Sequence, residues 1–313
     1  YENPRFTLNT VNPAEYGGGC KKAEAEGNAV YIINADTGER IWWASNRDAN
    51  INNTDMKHSI VSRISTLDRD GDGLVDNLYF GDLGGQIFRV DLNNAASATL
   101  GKRVVRLANL AANTDGTAIT NGDQPRFYQP PTLTVHDEGK DTFLLVGIAS
   151  GDRSTPLDVA PEQGREKMLP FTALTNRPTN KVYGLIDRDV ANKYIMTGQE
   201  ISGVLKDISL VSENISLANL KANPQLLTGK IAGQFSLTGW KGWYRSLSSG
   251  PDGIEIKTAT MTNSSGVQVT TTRTSGGLKA FEEEPIAMTG RLLIPIYDPQ
   301  GTGIVDRSNP CQP

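Results

Sequence analysis

The sequence predicts an all-β fold of stacked hairpins joined by long loop insertions. Three observations carry that expectation: strand–turn–strand units recur along the chain, 32 of its 313 residues are glycine, and helical periodicity is scarce. An isolated hairpin cannot bury its apolar face, whereas stacked hairpins can. The units recur at roughly 40–65 residues, the spacing of propeller blades that carry insertions. The chain therefore reads as a modified β-propeller, either one propeller-like domain over residues 1–313 or a fragment of a larger propeller.

Residues 1–27 are polar and glycine-rich, and read as loop with one edge strand. The first hairpin follows. Val30-Tyr31-Ile32-Ile33 alternates as a strand, Asp36-Thr37-Gly38 supplies turn chemistry, and Arg40-Ile41-Trp42-Trp43-Ala44 returns. Ser59 to Ile64 reads as a further strand leading into an acidic loop. Past that loop, Leu78-Tyr79-Phe80 and Gln86 to Leu92 form a second hairpin about Gly84-Gly85. A third unit is split. Phe143 to Ala149 is one strand and Lys181 to Asp187 the other, with a Pro-, Arg- and Thr-rich insertion over 151–180. A helix is expected around Ser216 to Asn223, where Leu217 and Leu220 give a short apolar stripe. Trp240 to Tyr244 reads as a strand whose tryptophans pack in the core rather than stack on sugars. Residues 258–276 suit an exposed hairpin or a mobile loop, and Arg291 to Asp298 is a fourth strand unit.

The richest stretch is Asp68-Arg69-Asp70-Gly71-Asp72-Gly73-Leu74-Val75-Asp76. Aspartates stand at loop positions one, three, five and nine, with glycine at six. A hard cation takes about six to eight oxygens at roughly 2.3–2.6 Å, and this spacing brings several together from one short segment. The expected ligands are the side chains of Asp68, Asp70, Asp72 and Asp76 and the carbonyl of Leu74, with Asp72 at the centre. Asp76 is expected to bind directly or through a water. Val75 is the expected apolar anchor. Position twelve is Tyr79, where an EF-hand has a bidentate glutamate, and the flanks read as strands. The expectation is thus a calcium loop between strands, with modest affinity near ~10⁻⁴–10⁻³ M. The competing account is a solvated acidic turn, since Asp and Gly favour turns. Asp298 to Asp306 repeats the theme with Gln300 and Thr302 in the middle, and reads as a structural turn.

Composition narrows the function. A net charge of −4 gives no nucleic-acid footprint, and no apolar run reaches the ~18–20 residues of a transmembrane segment. With neither an initiator methionine nor a signal sequence, Tyr1 reads as a processing boundary. His58 and His136 stand apart without metal-ligand spacing, so both read as structural or surface residues. Cys20 and Cys311 are either two unrelated thiols or one staple joining the chain ends.

The run from Asp68 to Asp91, with Gly151-Asp152-Arg153, Lys181 to Asp187, Gly242-Trp243-Tyr244 and Tyr297-Asp298-Pro299, resembles the C-terminal β-propeller of the PilY family of type IV pilus tip adhesins. The resemblance implies a non-enzymatic protein that takes Ca2+ at Asp68, Asp70, Asp72, Leu74 and Asp76. It also implies a role in pilus assembly, extension and retraction, twitching motility and cell adhesion. The implied partners are minor pilins at the pilus tip and a host or abiotic surface. The implied location is extracellular, at the pilus tip or cell surface, after export through the periplasm. An oxidising compartment would allow a Cys20–Cys311 disulfide. Two departures stand out: an earlier blade is not evident, and neither is a strand after the last cysteine. Arg69-Asp70-Gly71 is not an Arg-Gly-Asp tripeptide, so integrin binding is not expected.

Two enzymes compete with this reading. Ala35 to Trp42 resembles the docking motif of quinone-dependent dehydrogenases of propeller fold. No separate base or vicinal cysteine pair accompanies it, and the motif serves packing between blades. Glu282-Glu283-Glu284 offers carboxylates for a glycosidase, but adjacent strand residues point to opposite faces, so a surface charge run is expected.

Overall fold

The computed structural model describes residues 25–94, 100–111, 125–137, 142–151, 153, 180–192, 195, 200–201, 204–205, 210–224, 240–247, 260–262, 264–270, 278–281, 283–288 and 291–297. Cys20, Cys311, Glu282, the acidic repeat at 298–306 and nearly all of the 151–180 insertion lie outside them.

The described residues are all-β. The first sheet is β1 (Val30–Ile33), β2 (Arg40–Ser45) and β3 (Ile51–Asn52). The second is an antiparallel meander of β4 (Ser65–Leu67), β5 (Asn77–Gly81), β6 (Gln86–Leu92) and β7 (Gly101–Asn109). The third starts with β8 (Thr132–Asp137), β9 (Thr142–Ala149) and β10 (Lys181–Asp187). After the ribbon β11 (Glu200–Ile201) with β12 (Val204–Leu205), it is completed by β13 (Lys221–Ala222) and β14 (Gly242–Ser246). Its order is β13-β14-β10-β9-β8. Three more ribbons come from β15 (Thr260–Thr262) with β16 (Gln268–Thr270), β17 (Lys279–Ala280) with β20 (Ile296–Tyr297), and β18 (Ile286–Met288) with β19 (Arg291–Leu293). Closure into a ring is not traced among the described residues.

Three expected hairpins form: β1–β2, β5–β6 and the split β9–β10 pair. Within the 258–276 stretch, Thr260–Thr262 and Gln268–Thr270 pair as the β15–β16 hairpin, with its turn at Ser264 to Val267 exposed. Two expectations are corrected. The strand entering the acidic loop is Ser65–Leu67 rather than Ser59 to Ile64. There Ser59 and Leu83 exchange a backbone hydrogen bond instead, with Leu83 N–H donating. The helix around Ser216 to Asn223 shrinks to one 3₁₀ turn, Leu217–Asn219, closed by Asn219 Oδ1 on the Ser216 backbone. Lys221 then pairs with Trp243 in a sheet, and an apolar stripe that short cannot compete with that pairing.

Period-two alternation explains the layers. One face of the second sheet puts Leu78, Phe80, Phe88, Val90 and Leu92 in a core with Val30, Trp42 and Ala44 of the first sheet. The opposite face puts Tyr79 and Ile87 in a core with Val146, Ile148, Tyr183 and Leu185 of the third. Strands β5 and β6 are therefore buried along their whole length. The third sheet's far face meets a smaller core of Leu278, Ala280 and Leu292.

Two devices hold the layers together. The Trp42 ring lies on β7 so closely that a Cβ on Gly101 would fall 2.3 Å from it. The other device is polar. Buried Arg89 on β6 sends Nε to Asp91 (2.7 Å) and Nη1 to Asp187 on β10 (2.7 Å), with Asp189 at 3.5 Å. Tyr79 donates to Asp187 at 3.0 Å, Asn77 donates to Asp91 at 2.8 Å, and Arg103 reaches Asp91 at 3.1 Å. Burial pushes the Asp187 carboxyl above the usual carboxylate range, against the pull of Arg89.

Candidate metal centre

The acidic loop spans β4 and β5, which pair as Leu67 with Asn77 at its base. Asp76 fastens that base on both sides. Its N–H donates to Leu67 at 2.8 Å, and its carbonyl accepts from Leu92 N–H at 2.8 Å. Asn94 adds bonds from Nδ2 to the Val75 carbonyl (3.0 Å) and to Asp76 Oδ1 (3.3 Å). Val75 packs against the core beneath, as an apolar anchor should. The turn itself needs left-handed backbone at Gly71 (φ 78°) and Gly73 (φ 90°), which glycine adopts without strain.

The carboxylates organise the loop from inside. Asp68 accepts from Gly71 N–H (2.7 Å) and Gly73 N–H (2.9 Å). Asp76 Oδ2 accepts from Arg69 N–H at 2.7 Å. Asp68, Asp70 and Asp76 each offer a carboxylate oxygen, and the three lie within 4.8 Å of one another. Asp72 is not in that group. Its Oδ1 accepts from the Leu74 N–H at 2.8 Å instead. The Leu74 side chain is exposed, as a residue contributing only its carbonyl would be.

This donor set fits a hard cation. Oxygens at roughly 2.3–2.6 Å from one ion lie at most about 5 Å apart, so a spread of 4.8 Å is compatible with a single coordination shell. The charge balance points the same way. Asp76 is buried, and burial pushes its carboxyl above the usual range, with the charge on Asp70 adding to the shift and the Arg69 N–H opposing it. A divalent ion would reverse that penalty.

The remaining candidates resolve as packing. The His58 ring lies against Gly84, where a Cβ would come within 2.0 Å of it. His136 stacks on Phe143 at 5.3 Å. Glu283 is exposed and Glu284 pairs with Arg63 at the surface. Trp42 is the packing residue of the docking-like segment. Trp243 departs from a purely core role: it is half-buried and lines a cavity on the third sheet. That exposure was illegible in sequence, because it depends on which residues cross the sheet beside it.

The fold and loop define an all-β protein of stacked sheets with a candidate hard-cation loop. No family model matches the sequence, and no curated protein matches it. Among solved structures, the C-terminal domain of PilY1 from Pseudomonas aeruginosa is similar, with a TM-score of 0.47 and 17% identity. The match covers 89% of this chain and 52% of that one, so the present chain spans about half its length. No helix among the described residues is long and apolar enough to cross a membrane.

Proposed function

We propose that the chain is a non-enzymatic, calcium-binding module of a type IV pilus tip protein. The observation that carries the calcium reading is the convergence of Asp68, Asp70 and Asp76 within 4.8 Å on a loop fastened to β4 and β6. Asp72 and the Leu74 carbonyl complete the proposed protein ligands, and calcium would supply the charge that lets these carboxylates sit together. The pilus reading rests on the sequence resemblance over Asp68 to Asp91. It brings the rest of that reading with it: a propeller-like architecture, minor pilins and a host or abiotic surface as partners, and an extracellular position at the pilus tip.

In this reading the ion acts by linkage. It binds the folded loop and not the open one, and so stabilises the second sheet by an amount set by free calcium over its dissociation constant. Occupancy would then tune the rigidity of the tip during extension and retraction.

Calorimetric titration of the purified chain with Ca2+ tests the site. Saturable heat that is absent in Asp70→Ala is expected, and equal heat in the variant would remove the site from the loop. In cells, Asp70→Ala should impair twitching motility at unchanged protein level. Normal motility in a variant shown not to bind calcium would reduce the ion to a structural part.

A further inference from the structure

The third sheet has a second face that the calcium reading does not use. Trp243, Gly184, Gly147 and Thr132 stand in register across β14, β10, β9 and β8. The two glycines make a shallow floor. A Cβ at Gly184 would fall 2.5 Å from the Trp243 ring, and one at Gly147 would fall 3.0 Å from Leu292. The indole thus lies flat on backbone, with part of it accessible. Beside it a cavity of about 680 Å³ opens between this face and the β18–β19 hairpin. That volume falls in the range of about 300–1,000 Å³ typical of small-molecule sites.

Its lining combines three chemistries. Trp243 gives flat apolar surface, and beside it His136 stacks on the buried Phe143 ring. Thr132 and Thr134 give hydroxyls. Arg245 and Arg291 give positive charge, and no carboxylate lines the cavity among the described residues. Arg245 donates to the Pro224 carbonyl, and among the described residues neither Arg245 nor the exposed side chain of Arg291 is paired with a carboxylate. A third cation stands close by, with the Arg188 guanidinium 5.8 Å from the Phe143 ring centroid.

We propose that this cavity binds an acidic pyranoside, with the sugar ring against Trp243 and its carboxylate facing Arg245 and Arg291. A pyranose offers an apolar C–H face to an aromatic ring and hydroxyls to the threonines, and a uronate carboxylate matches the geometry of guanidinium. The cavity's excess positive charge selects the acidic sugar over the neutral one. The proposal is independent of calcium, because the acidic loop belongs to a different sheet.

The test is tryptophan fluorescence of the intact chain, titrated separately with methyl β-D-glucuronide, methyl β-D-glucoside and inorganic phosphate. The glucuronide should give a saturable change, with the glucoside and phosphate each at least about tenfold weaker. Arg291→Ala should weaken the glucuronide about tenfold or more, in keeping with one lost charge-assisted hydrogen bond. Its melting temperature should stay unchanged, since the side chain is exposed. Arg245→Ala should act likewise, and if that variant fails to fold, Arg291→Ala decides alone. The proposal is overturned by an absence of saturable glucuronide binding, by equal binding of the glucoside or of phosphate, or by an undiminished Arg291→Ala.

Discussion

Arg89 on β6 and Asp187 on β10 meet at 2.7 Å with both side chains fully buried, so one ion pair joins the second and third sheets. Removing the cation leaves Asp91 and Asp187 buried without their main partner. Arg89→Leu should therefore destabilise the chain by about 3–5 kcal/mol. A denaturant midpoint within error of the parent would show that the pair is not limiting. Arg89→Leu combined with Asp187→Asn should recover part of the loss, because the coupling between neighbours is not additive.

The geometry of the acidic loop orders its variants. Asp68→Ala and Asp70→Ala each remove an oxygen from the converging group, and each should weaken calcium binding more than Asp72→Ala does. This reverses the order expected from loop position, which puts Asp72 at the centre. At free calcium about a hundredfold above the dissociation constant, the parent should gain about 2.7 kcal/mol of stability and Asp70→Ala almost none. Thermal melts with calcium and with chelator measure the difference.

Asp82 gives the chain a pH dependence. It is fully buried in the β5–β6 turn and accepts bonds from Gly84 N–H (2.9 Å), Gln86 N–H (2.8 Å) and Gln86 Nε2 (2.9 Å). Burial nonetheless raises its pKa to about 6, although His58 and these donors pull it down. The folded chain thus holds this proton more tightly than the unfolded chain, whose carboxyl titrates near its usual value of about 3.9. Stability from this group should rise as pH falls from about 7 towards 4, by roughly 3 kcal/mol at most, and be lost as pH climbs through 6. Asp82→Asn should flatten that slope in melts taken between pH 4 and 7.

Gly101 is required by the ring that lies on it. A methyl group there would sit 2.3 Å from Trp42, so Gly101→Ala should cost about 1–3 kcal/mol. Trp42→Phe in the same chain should restore part of that, since the smaller ring leaves room. Additive losses in the double variant would show that the two residues do not press on each other.

Much of the fold was legible because its hairpins carry their own instructions. Asn34 Oδ1 accepts from Asp36 and Thr37 N–H, and Gly38 takes φ 73°, so the turn can be read from five residues. The core face of β6 follows from alternation alone. Ser59 to Ile64 reads as a strand because Ile60, Val61 and Ile64 are β-branched, yet Val61 is exposed and the segment makes only single backbone hydrogen bonds, from Leu83 N–H to Ser59 and from Ile60 N–H to Gly27, rather than a ladder. The convergence of Asp68, Asp70 and Asp76 was legible from spacing, whereas the turning of Asp72 onto Leu74 N–H was not. The Trp243 cavity and the Arg89 network depend on contacts between strands far apart in sequence, and no local pattern announces those.

The double-sided burial of β5 and β6 has a kinetic meaning. A strand with water on one side can fray when its outer neighbour lifts away. These two strands are exposed only after the layers on both sides have separated, so their opening approaches global unfolding. Their amides, from Asn77 to Gly81 and Gln86 to Leu92, should be the last in the chain to exchange with deuterium. The acidic loop leaves directly from the first of them. Its C-terminal end is thus rooted in the most persistent part of the molecule, while its other end leaves from β4, a partly exposed strand at the edge of the sheet.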